Sequence, residues 1–278
     1  MHFVNYRVYN KDITDREILD FSCQGNVIRF YLGKNGEQWG DDWSDPFDNA
    51  GSVYNQYVGA TVDLYVPYEY TVLNPYDTSY YYYNSYSKEQ MLHKCFPCVV
   101  ILPEETQQYY YDLTFDKCQG CYDAVKFYCG DDLSKECETA GTADDVFFDE
   151  IKSACGKTEI IDMTFNGNLV HFYLGENGKQ SGTDWDMADY TVYAEPVDMY
   201  VPFGWKVLEP SDSNYYYHQC PYCKNDMVNR KIPCVLVVPF DIVDEDYKSG
   251  IDYEHALKTP GVRKLYFGDD ILNTKLKD

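Results

Sequence analysis

The chain is poor in positive charge and has no long apolar run. Lys and Arg number 23 against 46 Asp and Glu, a formal net charge of -23 with a pI near 4.4. A field of that sign repels phosphate backbones and acidic lipid, which excludes direct, sequence-independent binding to nucleic acid and to a membrane surface. No stretch of the 278 residues approaches the roughly 20 apolar residues of a membrane helix. Residues 1–20 also lack the apolar core of a secretion signal. The cysteines number 11, an odd count, so a disulfide framework is not expected. The expectation is a cytoplasmic protein whose thiols are reduced, buried or metal-bound. Catalytic signatures are missing too. There is no Gly-x-Ser-x-Gly elbow, no Gly-rich phosphate loop and no His-Glu-x-x-His pair, so the chain is not expected to be an enzyme.

What the sequence does have is a copy of itself. Residues 17–26 (EILDFSCQGN) return as 159–168 (EIIDMTFNGN), and 30–36 (FYLGKNG) as 172–178 (FYLGENG). Gln38, Gly40, Asp42 and Trp43 match Gln180, Gly182, Asp184 and Trp185. Further on, VDLYVP at 62–67 answers VDMYVP at 197–202, and PCVVILP at 97–103 answers PCVLVVP at 233–239. KFYCGDD at 126–132 answers KLYFGDD at 264–270. The order is kept throughout, so this is a tandem duplication. It predicts a first repeat unit over 1–132, a connecting and helical segment over 133–156, and a second unit over 157–278.

Within each copy, alternating apolar residues run into Gly25-Asn26 or Gly167-Asn168, which predicts a tight turn into a second strand. Residues 62–66, 98–102 and 125–129 read as further short strands bounded by Pro or Gly. Ser87 followed by Gln90 resembles a helix-starting capping box, and a second helix is expected over 143–155. Copy one alone carries a short insertion around 49–57. The expected fold is a β-rich α+β architecture, two tandem copies of a small antiparallel-sheet unit with short helices.

Two cysteine sets have the look of zinc sites. Cys95-x2-Cys98 is followed by Cys118-x2-Cys121, and copy two offers His218, Cys220, Cys223 and Cys234. Thiolate and imidazole sets of four suit tetrahedral zinc. Against this, Cys98 and Cys234 are equivalent and each opens an apolar strand, where a buried free thiol is common. Cys23 and Cys129 become Phe165 and Phe267 in the other copy, a substitution that reads as core packing. The acidic group Asp41, Asp42, Asp45 and Asp48 lacks the spacing of a calcium loop, and Asp131-Asp132 and Asp269-Asp270 read as turn caps.

Tyrosine is the other excess. There are 30, with tracts at Tyr80, Tyr81, Tyr82 and Tyr83, at 109–111 and at 215–217. Successive residues of an extended chain point to opposite faces, so such a tract is not wholly buried. Exposed Tyr supplies contact area and a hydroxyl at low entropic cost, which binding surfaces use. With a negative field around them, the fitting partner is a basic protein surface.

The segments IRFYLG at 28–33, GDDW at 40–43, NAGSVY at 49–54, VLNP at 72–75, PCV at 97–99 and KFYCGD at 126–131 resemble a group of small bacteriophage and mobile-element proteins of Gram-positive bacteria. One copy of the unit corresponds to one such protein, and copy two departs by losing Asp41 and the NAGSVY segment. The resemblance implies a phage accessory protein in a bacterial host, where countering host defence is a common task. Joined to the charge, it points to an inhibitor of a defence or nucleic-acid-handling enzyme, such as a CRISPR effector. Asp41, Asp42, Asp45 and Asp48 would stand in for phosphates, with Tyr80 to Tyr83 as anchors. The alternatives are a sponge for a nucleotide signal, a phage structural or assembly protein, and a metal-dependent enzyme built on copy one.

Overall fold

The computed structural model describes residues 6–8, 15–34, 60–74, 97–103, 121, 124–133, 147–148, 157–176, 196–210, 227, 231–239, 242, 253–271 and 273. They fall into two compact units, Met1–Asp144 and Asp145–Asp278. Each unit holds two antiparallel sheets rather than the one that alternation suggested.

In the first unit, β1 (Tyr6–Val8), β2 (Asp15–Gln24), β3 (Val27–Lys34) and β4 (Ala60–Tyr65) form a sheet of order β1-β4-β3-β2. A second sheet, of order β5-β6-β7, joins β5 (Tyr70–Leu73), β6 (Val99–Pro103) and β7 (Val125–Phe127). The second unit repeats the plan. β8 (Phe147–Phe148), β9 (Lys157–Asn166), β10 (Leu169–Glu176) and β11 (Val197–Tyr200) give the order β8-β11-β10-β9. β12 (Lys206–Leu208), β13 (Val235–Val238) and β14 (Arg263–Leu265) follow, with helix α1 (Tyr253–Lys258) before the last strand.

The hairpins fold where the sequence places them. Gln24 pairs with Val27 and Asn166 with Leu169, which leaves two-residue turns. Gly25 and Gly167 take φ of 59° and 60° while the Asn that follows each does not, the type II′ arrangement that needs Gly first. The strands entering the turns are not regular. Arg16 and Leu19 are bulged out of the β2–β3 ladder, as Thr158 and Ile161 are from β9–β10. After each inner bulge an Asp side chain (Asp20, Asp162) accepts its neighbour's N–H at 2.9 Å. A bulge shifts which residues face the core and raises the local twist, so the strand closes over its neighbour sheet.

One core joins the two sheets of each unit. Ile18, Phe21, Ile28, Phe30 and Leu32 from the hairpin meet Val99, Ile101 and Phe127 from the second sheet. Phe30 and Phe127 pack with their rings tilted by 48° and their centroids 5.2 Å apart. Ile160, Val170, Phe172 and Leu174 meet Val235, Val237 and Leu265 in the same way. Each fully buried side chain of this kind contributes about 1.5–3 kcal/mol. The middle strand of the smaller sheet is buried on both sides. Leu236 and Val238 face a second cluster with Tyr253 and Ala256 of α1 and Val262, and Tyr253 donates its hydroxyl to Pro233 O at 2.6 Å.

The expected helix over 143–155 gives way to strand at the residues described there. Phe148 pairs with Met199 and Phe147 with Tyr200, so this piece of the connecting segment is the edge strand of unit two, the counterpart of β1. Pairing with β11 gives this piece of chain a backbone ladder. The helix expected at Ser87 lies outside the described residues.

Candidate functional site

Three polar assemblies recur in both units, and all are built on the hairpin. At its turn, the Asn26 amide donates to Pro67 O and Tyr70 O, both at 2.9 Å. Asn168 donates to Val201 O, Pro202 O and Trp205 O at 3.3, 2.6 and 3.2 Å. Both side chains are about fully buried, at 1% exposure. The turn residue thus ties the hairpin to the corner that leads into the second sheet.

At the open end of the hairpin, Ile18 N–H donates to Asp131 O and Gly130 N–H to Ile18 O, at 3.0 and 2.8 Å. Ile160, Asp269 and Gly268 repeat this at 2.9 Å in both directions. Each Gly-Asp turn is closed by its own carboxylate, Asp131 accepting from Tyr128 N–H at 2.8 Å and Asp269 from Tyr266 N–H at 2.9 Å. Turn capping is therefore the observed role of these two acids. Burial pushes the Asp269 carboxyl above its ordinary range, opposed by the Tyr266 N–H. The Tyr266 hydroxyl is pushed up by burial and by Asp269.

The third assembly crosses the sheet face turned away from the shared core. Arg29 of β3 lies opposite Asp63 of β4 and grips it through two hydrogen bonds, of 2.7 and 2.8 Å. Asp63 is wholly buried. In unit two the same register positions hold His171 and Asp198, joined Nδ1 to Oδ1. Tyr173 meets the His171 ring edge-on at 5.0 Å. A buried carboxylate needs a cationic or donating partner, and the two copies meet that need with different side chains. Sequence comparison aligns Arg29 with His171, but only the strand pairing brings the acid across from each.

The cysteines divide among apolar clusters. Cys98 and Cys129 share the first unit's main core with Cys23 packed against it. Cys121 belongs to a separate cluster with Val100 and Leu102. Cys98 and Cys121, expected as ligands of one ion, thus fall in different apolar clusters. Cys234 donates its thiol to Leu265 O at 3.3 Å, while Phe165 and Phe267 fill the positions of Cys23 and Cys129. Burial pushes the Cys98 and Cys234 thiols well up. Among the described residues no group of three or more His, Cys, Asp or Glu is arranged to hold a metal ion. Asp41, Asp42, Asp45, Asp48, Tyr80, Tyr81, Tyr82, Tyr83, Cys95, Cys118, His218, Cys220 and Cys223 lie outside the described residues, as do the other two Tyr tracts.

Fold and site together define a duplicated antiparallel β protein, each copy with two sheets about one core and a buried acid–base pair behind its larger sheet. No protein-family model, curated protein or solved structure matches the chain. Among the described residues no helix is long and apolar enough to cross a membrane.

Proposed function

We propose that the protein is a binding module that occupies the basic surface of another protein, in the manner of a phage-encoded inhibitor of a host defence or nucleic-acid-handling enzyme. The observation that carries this is the charge, 46 acidic against 23 basic residues on a folded, duplicated scaffold. A nucleic-acid channel is a concentrated basic surface, and a compact polyanion is steered to it by the same field that attracts phosphates. Asp41, Asp42, Asp45 and Asp48 provide the phosphate-like charge and Tyr80 to Tyr83 the apolar anchors. The polar groups kept in both copies support a scaffold role, since Asn26, Asp131 and their counterparts are used up in tying sheets together. The proposed activity is binding rather than catalysis, within the cytoplasm of a bacterial host.

The test is a panel of purified RNA-guided nucleases and other nucleic-acid enzymes, titrated with the full chain at two salt concentrations. Inhibition that weakens steeply with salt and competes with the nucleic-acid substrate is expected. Replacing Asp41, Asp42, Asp45 and Asp48 by Asn should weaken it at least about tenfold. Binding unaffected by salt, or by those four changes, would overturn the mimicry.

A further inference from the structure

We propose that a cavity in the second unit binds a small zwitterion with an apolar body, the chemistry of a free α-amino acid. The cavity measures about 290 Å³ and is lined by Met227, Lys231, Tyr266, Phe267 and Asp269. Its two charged walls carry opposite signs. Lys231 is exposed, and among the described residues it has no ion-pair partner, Asp269 included. Its backbone sits at φ 55°, inside the turn closed by Ile232 N–H on Met227 O at 2.9 Å. That is the left-handed position at which Gly usually ends a helix, so a Lys there keeps its ammonium beside the cavity at some backbone cost. Asp269 is held by the Tyr266 N–H through one oxygen, burial disfavours its charge, and Lys231 on the other wall forms no ion pair with it.

The ligand follows from these groups. An ammonium placed on Asp269 restores the compensation that burial removed, and a carboxylate on Lys231 pairs the free cation. Between them the Met227 thioether and the Phe267 ring offer an apolar wall to a side chain. A molecule of zero net charge is not repelled by a protein carrying -23, whereas a phosphate ester meets both that field and Asp269. The first copy has Met91, Tyr128 and Asp131 at the matching sequence positions, but Cys95 and Cys129 where Lys231 and Phe267 stand. The ammonium and the ring are therefore private to the second copy. This site shares no residue with the protein-binding surface proposed above.

The test is calorimetric titration of the full chain with the free amino acids, their N-acetyl and carboxamide forms, and nucleoside monophosphates. ¹³C-methyl methionine spectra give a local readout at Met227. Saturable binding of a free amino acid is expected, with a shift of the Met227 methyl. Blocking either end of the ligand, or Lys231→Gln, should weaken binding at least about tenfold. Lys231 is exposed, so its variant keeps the fold, which far-UV circular dichroism checks. The proposal is overturned if no free amino acid saturates the protein, if nucleoside monophosphates bind in their place, or if binding survives both the blocked ends and Lys231→Gln.

Discussion

His171 Nδ1 lies 2.5 Å from Asp198 Oδ1, directly across two neighbouring strands and at 7% and 9% side-chain exposure. Arg29 and Asp63 hold the same register in the other copy. A buried carboxylate that loses a close donor is destabilised, so His171→Ala should cost the second unit about 3 kcal/mol. Hydrogen exchange along β10 and β11 should accelerate while β3 and β4 stay protected. His171→Arg, which imports the first copy's solution, should recover most of the loss. Equal protection in wild type and His171→Ala would show that the pair contributes nothing.

The buried Asn amides are the second target. Asn168→Ala removes the hydrogen bonds to Val201 O, Pro202 O and Trp205 O that tie down the corner and should cost about 2 kcal/mol, with Asn26→Ala comparable in unit one. Denaturant melts of the two variants, compared with wild type, measure it. Unchanged midpoints would place the hold on this corner elsewhere.

Thiol chemistry gives the third. Burial pushes the Cys98 and Cys234 thiols upward, so little thiolate forms and both should resist iodoacetamide in the native protein at about pH 8. Denaturant should open both to modification, read by peptide mass mapping. Rapid native alkylation at either position would contradict the burial.

A pH dependence follows from Asp269. Its carboxyl is raised by burial, so the folded state keeps a proton that the unfolded chain has lost. The stability this group contributes is full below its unfolded pKa and is lost as pH rises through the higher folded value. Asp269→Asn keeps an oxygen for Tyr266 N–H and removes the charge. Its stability relative to wild type should therefore climb as pH rises above about 4, the unfolded carboxylate's value. Parallel melting profiles for the two proteins above that pH would refute it.

Much of this structure is legible in the amino-acid order, and the parts that are not share one cause. Gly25-Asn26 and Gly167-Asn168 announce two-residue turns because only Gly takes the required positive φ cheaply. Period-two alternation assigns Ile28, Phe30 and Leu32 to one face, where they are found in the core. The same alternation sends Arg29, Asp63, His171 and Asp198 to the other face and suggests solvent, yet that face is covered there and the acids are buried. Periodicity tells which residues share a face and is silent on what lies over it.

By itself, the sequence determined the duplication, the hairpins, the capped Gly-Asp turns and the antiparallel β-rich class, because each rests on local backbone preference or on a repeat visible in the residues. Only the tertiary structure decided the rest. It split each unit into two sheets, drew Phe147–Phe148 into a ladder with β11, put Cys98 and Cys121 into different clusters, and set His171 opposite an acid 27 residues away. These outcomes depend on which strand finds which partner. They are long-range choices, made when apolar faces close on one another and carry their polar groups along.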